Sequence, residues 1–153
     1  RTLCLGGEEG KLILNRRGTF ESKNLTVHSG EGPISSVCWR GTLIAWANAK
    51  GVKVLDIETF QKVAHLARPD EGRDTPSLSW SDDVLLIGWG SVVMLAEVRQ
   101  KVGGPAGVRF AHIAHCFRVS AGVVCGVTPF DSRHLGVLTA EGESSVAYHI
   151  CTR

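Results

Sequence analysis

His112, His115 and Cys116, in the run HIAHC, are the densest set of potential metal ligands in this chain of 153 residues. A structural zinc site usually takes four ligands at recognisable spacing, and this run offers three. On a strand, residues three apart face opposite sides, so His112 and His115 diverge unless a bulge lies between them. The run therefore reads as an outer strand or its loop, and we assign it no metal and no cofactor. Paired carboxylates at Glu8-Glu9 and Asp82-Asp83 fall in short turn-like stretches, where solvation explains them better than acid–base work. Nucleophile-elbow, zincin and phosphate-loop signatures are absent. The glycines of GGEEG (Gly6 to Gly10) and GWGS (Gly88 to Ser91) precede strands, whereas a phosphate cradle opens a helix. No residue is assigned as catalytic, and the chain reads as a non-enzyme.

A different chemistry is offered by the stretch from Arg99 to Arg109, RQKVGGPAGVR. It carries Arg99, Lys101 and Arg109, no acid, three glycines and a proline. That composition suits a mobile basic loop on a rim. These three cations are the candidate partner-binding residues, directed at an acidic protein or at anionic lipid headgroups. The rest of the chain has no such bias: 17 basic and 15 acidic residues give a formal charge of +2, and their even spread leaves no footprint for nucleic acid. No apolar run approaches the ~20 residues of a membrane-spanning helix.

The elements that must position these residues repeat. LCLGGEEGKLIL (Leu3 to Leu14), IAWANAKGVKVLDI (Ile44 to Ile57) and LLIGWGSVVMLAEV (Leu85 to Val98) recur at steps of about 41 and about 40 residues, taking Gly10, Gly51 and Ser91 as equivalent, the period of a propeller blade. LGVLTAEGESSVAYHI (Leu135 to Ile150) is a fourth copy after a longer interval. The clearest unit runs from a first strand, Ile34 to Trp39, through Leu43 to Ala47 and Val52 to Ile57 to an outer strand, Gln61 to Leu66. The next repeats it from Pro76 to Trp80, Val84 to Trp89 and Ser91 to Val98. Second strands such as Val84-Leu85-Leu86-Ile87 are apolar at consecutive positions, so both their faces are buried. Radial packing of blades meets that requirement, whereas a two-layer sandwich would show alternation throughout. The fold class is thus all-β, a partial β-propeller of three to four WD-repeat-like blades of four antiparallel strands. Blade fragments are expected at 1–29, 30–66, 67–120 and 121–153, open at both ends, as a segment of an N-terminal propeller.

Trp39 and Trp80 end equivalent first strands, and Trp46 and Trp89 lie in second strands. Recurrence at the repeat period marks them as packing residues between blades. Cys4, Cys38, Cys116, Cys125 and Cys151 are odd in number and show no CxxC spacing, which reads as buried free thiols of a reducing compartment. On that reading the sequon at Asn24-Leu25-Thr26 is unused.

Leu55-Asp56, within VKVLDIET, stands where WD-repeat blades carry Trp-Asp. The longer stretch Gly30 to Ile57, with Gly30-Glu31-Gly32, Trp39-Arg40-Gly41, Leu43 to Asn48 and Gly51-Val52-Lys53, resembles the propeller of the vacuolar protein sorting subunit forty-one family. Ala67 to Val93 continues the likeness in order, with Arg68-Pro69 and Ile87-Gly88-Trp89-Gly90. The later stretch SAGVVCGVTPFDSRHLGVLT resembles a later blade more loosely. That family belongs to the HOPS tethering complex. The resemblance implies an N-terminal propeller followed by an α-solenoid, and a part in fusing vesicles and endosomes with the vacuole or lysosome. Implied partners are the other HOPS subunits, a Rab-family GTPase, the late endosomal or vacuolar membrane and, in some members, an adaptor complex. The implied location is cytoplasmic, peripheral on late endosome, vacuole or lysosome membranes. An unrelated WD-repeat interaction scaffold is the alternative, and it would lack the ordered elements of Gly30 to Val93.

Overall fold

The computed structural model describes residues 2–18, 21–69, 75–103, 107–142 and 145–152. Arg1, residues 70–74 of the Ala67 to Val93 stretch and the Gly104-Pro105 step of the basic connection lie outside them.

Among the described residues, fourteen strands form four antiparallel sheets. Blade 1 holds β1 (Thr2–Gly6), β2 (Leu12–Arg17) and β3 (Ser22–His28). Blade 2 holds β4 (Ser36–Arg40), β5 (Leu43–Asn48), β6 (Gly51–Asp56) and β7 (Gln61–Ala67). Blade 3 holds β8 (Ser77–Ser81), β9 (Val84–Trp89), β10 (Val92–Gln100) and β11 (Arg109–Arg118). Blade 4 holds β12 (Val123–Pro129), β13 (His134–Glu141) and β14 (Ser145–Thr152). Every sheet runs in sequence order, each strand bonded to the next, as tight hairpins require. The result is a partial propeller.

Consecutive apolar residues in the second and third strands do bury both faces. Every residue of β5 is buried, and in β9 all but the first. Alternate residues feed different inter-blade cores. Ile44, Trp46 and Leu55 pack with Leu12 and Leu14 of blade 1, while Ala45, Ala47 and Val54 pack with Leu85, Ile87 and Met94 of blade 3. Leu86, Val93 and Leu95 meet Val124, Val127, Leu135 and Val137 of blade 4. Gly88 shows how closely the last pair approaches: a Cβ there would meet Val127 Cγ1 at 2.9 Å and collide with Val124, so the backbone-only residue sets the spacing.

Four expectations change. The Arg99 to Arg109 connection is not one loop, because β10 continues to Gln100, β11 begins at Arg109, and these two residues pair. Arg99 and Arg109 are strand residues at a hairpin end, and Lys101 alone of the three lies in the turn, its amide bonded to the Val108 carbonyl at 2.8 Å. Second, a bulge does separate His112 from His115. Leu95 pairs with His115 and Ala96 with Ile113, leaving Ala114 as the extra residue. His112 and His115 therefore share one face. Third, Cys116 and Cys125 are exposed; Cys4, Cys38 and Cys151 are half-buried. Burial pushes the Cys4 thiol up to about 11 and that of Cys38 to about 12. Fourth, the deeply packed tryptophans are Trp46 and Trp89, at 4% and 2% exposure. Trp39 and Trp80 are half-buried, and Trp39 Nε1 donates to the Gly41 carbonyl at 2.7 Å.

Candidate functional site

Strand alternation divides the candidate cations. Gln100 faces Arg109 and Arg99 faces Phe110 in adjacent pairs, so the two arginines leave opposite faces of blade 3. Arg109 turns toward blade 2. Its guanidinium pairs with Asp56 Oδ2 at 3.4 Å and donates to Thr42 Oγ1 at 3.2 Å. Gln61 clamps the Arg109 backbone, donating to its carbonyl at 2.9 Å and accepting from its amide at 3.2 Å. The Asp56 carboxylate is 4% exposed, and its Oδ1 accepts from the Glu58 amide at 3.0 Å. Arg109 is thus the counter-ion of a buried acid in the neighbouring blade. Sequence reasoning placed Asp56 at the WD position but did not connect it to a cation 53 positions later in the chain.

Arg99 turns the other way and donates to Glu97 Oε2 at 2.7 Å. That contact lowers the Glu97 carboxyl below its ordinary range, helped by His112 and His115 nearby. His112 stacks on Phe110 with ring centres 6.0 Å apart. Among the described residues no group of three or more His, Cys, Asp or Glu is placed to hold a metal ion. The three candidate cations are not gathered into one patch.

Another charged constellation is gathered, in a cleft between blades 1 and 2 that the sequence reading did not anticipate. Its volume is about 370 Å³, inside the ~300–1,000 Å³ usual for ligand clefts. Blade 1 supplies Val27 and His28 from the end of β3; blade 2 supplies Trp46, Lys53, Leu55, Lys62, Val63 and His65. Register explains why these meet: Lys53 pairs with Trp46 on one side and His65 on the other, and Leu55 pairs with Lys62. Paired residues share a face. Glu31 reaches in from the connection between the blades, where Gly30 and Gly32 take φ of 85° and 82°, a conformation glycine adopts without steric cost. Its carboxylate pairs with Lys53, lies 3.5 Å from His28 Nε2 and accepts from Asn48 Nδ2 at 3.1 Å.

The cleft carries an excess of positive charge. Burial first, then Lys53 and Lys62, hold His28 below the ordinary imidazole range, so it is neutral near pH 7. Burial first and then Lys62 lower Lys53. Lys62 is exposed, and no carboxylate pairs with it among the described residues. Trp46 stands beside His28, ring centres 5.2 Å apart, and its buried Nε1 has no hydrogen-bond partner. The arrangement is suited to holding an anion against an apolar wall. The available sequence signal was the alternation Trp46, Lys53, His65 on one blade face, legible only once strand register is known.

The chain matches the family model Beta-prop_Vps41, described as the Vps42 beta-propeller, over residues 1–150. Curated relatives include the "Vacuolar protein sorting-associated protein 41 homolog" of Arabidopsis thaliana, 47% identical over 100 residues and matched over 61% of this chain and 10% of its own length. That of Solanum lycopersicum is 39% identical over 74% of this chain and 12% of its own length, and that of Homo sapiens is 42% identical over 60% of this chain and 11% of its own. The chain spans about a tenth of the length of these relatives. Among solved structures, the WD40 domain of SCAP from fission yeast aligns with a TM-score of 0.56 at 10% identity, over 99% of this chain and 44% of that one. A chain of the S. cerevisiae assembly of dbp5 with nup159, gle1, IP6 and ADP aligns with 0.55 at 13%, over 97% and 42%. At such identities the likeness speaks for the fold alone. The sheets, their order and the matched model agree: the chain belongs to the Vps41 β-propeller family of vacuolar protein sorting proteins.

Proposed function

We propose that this chain is the non-enzymatic propeller portion of a membrane-tethering subunit of the HOPS type, acting in fusion of vesicles and endosomes with the vacuole or lysosome. The family match over residues 1–150 carries this reading. The propeller serves as a recognition head that holds a Rab-family GTPase while other subunits engage the opposing membrane. Further blades complete it, because Leu3 and Leu5 on β1 and Val146, Tyr148 and Ile150 on β14 expose about half or more of their surface, a burden that neighbouring sheets remove. Arg99 and Lys101 remain candidate contacts to an acidic partner or to a late endosomal or vacuolar membrane, whereas Arg109 is committed to Asp56.

The test is affinity purification of the tagged full-length protein, followed by identification of what co-purifies and by binding of Rab-family GTPases loaded with GTP or GDP. Co-purification of the other HOPS subunits and preference for a GTP-loaded GTPase are expected. A clean preparation lacking those subunits, with no nucleotide-dependent binding, would overturn the reading.

A further inference from the structure

The cleft between blades 1 and 2 has a cationic rim and an apolar wall, and these call for one ligand that satisfies both. Lys53 and Lys62, with His28 and His65 beside them, surround a single carboxylate, Glu31, which is already shared with Asn48. The wall is Val27, Trp46 and Leu55. A phosphate or an inositol phosphate would answer the lysines and leave the wall wet. A wholly apolar ligand would leave Lys62 without a counter-charge.

We propose that this cleft docks an extended peptide segment in which acidic side chains sit beside apolar ones. A carboxylate of the segment pairs with Lys62, and an apolar side chain lies against Val27 and Leu55. Neutral His28 leaves the lysines as the charges that select the ligand. A segment of this kind binds with modest affinity and strong salt dependence, because the rim charge is exposed.

The test uses the full-length protein and a fluorescein-labelled hexapeptide alternating Asp and Leu, read by anisotropy, beside a peptide alternating Ser and Leu and with tripolyphosphate as competitor. The acidic peptide should bind, and the Ser-Leu peptide should not. Lys62→Glu should weaken binding about tenfold, a factor of ten being ~1.4 kcal/mol. Equal binding of the two peptides, or unchanged affinity of Lys62→Glu, would overturn the proposal. So would displacement by tripolyphosphate at concentrations below that of the peptide, which would make the cleft a phosphate site. Lys62 is exposed, so its variants report binding without emptying the core.

Discussion

The joint between blades 2 and 3 and the joint between blades 1 and 2 are built from the same strand plan and end differently. Among the described residues, the first buries fourteen hydrophobic residues in one cluster and the second seven. The 2–3 joint is closed at its outer end by an ion pair that crosses it, Arg109 to Asp56, and by Gln61 gripping the Arg109 backbone. At the 1–2 joint the corresponding outer region holds Lys53, Lys62 and His65, faced by Val27, His28 and Glu31; Glu31 pairs with Lys53, Lys62 keeps no carboxylate partner among the described residues, and the joint opens as a cleft. A repeat fixes the register that brings side chains together. Whether a joint becomes a seal or a site depends on whether opposite charges, or like ones, occupy the outer strands.

Substitutions can separate the two roles. The largest loss is expected from Trp89→Ala, which empties a ring at 2% exposure in the 2–3 core. It should cost about 3–5 kcal/mol, read from the denaturation midpoint of the propeller. Trp39→Ala should cost clearly less, since that ring is half-buried. An equal loss at both positions would contradict the burial order.

Arg109→Ala comes next, at about 3 kcal/mol, the scale of leaving a buried acid unpaired. Adding Asp56→Asn should recover part of that loss in a double-mutant cycle. A cost no greater than that of Arg99→Ala would dissolve the distinction between seal and surface.

The cleft should respond to acid. His28 is held below its ordinary value chiefly by burial, then by Lys53 and Lys62, despite Glu31 at 3.5 Å. The unfolded chain therefore takes up this proton more readily than the folded one. The stability His28 contributes is fully present above its ordinary value of about 6.5 and is lost as pH falls from there through the lowered folded value. His28→Gln should flatten thermal stability across that window, and an unchanged slope would show that other groups set it. The smallest effect belongs to Arg99→Ala: its pair with Glu97 is exposed and screened by solvent, so the denaturation midpoint should hardly move, with any phenotype appearing in partner or membrane binding.

Much of the fold was legible in the sequence. The runs Leu43 to Ala47 and Val84 to Trp89 are apolar without alternation, and both are doubly buried strands. The glycine-rich turns and the 40-residue period gave the blade order without any long-range information. The sites were less legible because they depend on register. Arg109 looked like part of a basic loop until its pairing with Gln100 turned it toward Asp56. His112 and His115 looked divergent until the bulge at Ala114 put them on one face. Lys53, Lys62 and Trp46 are unremarkable apart in sequence, and only strand pairing makes them neighbours.

Hydrogen exchange of the full-length protein, resolved by strand, tests the contrast between the two joints most directly, because amide protection reports local opening. The account predicts slowest exchange in β6, β9 and β10 and faster exchange in β3 and in the connection carrying Glu31. It further predicts that the acidic hexapeptide slows β7 and the end of β3 while leaving β10 and β11 unchanged. Equal protection at both joints, or peptide-induced slowing centred on β10 and β11, would contradict it.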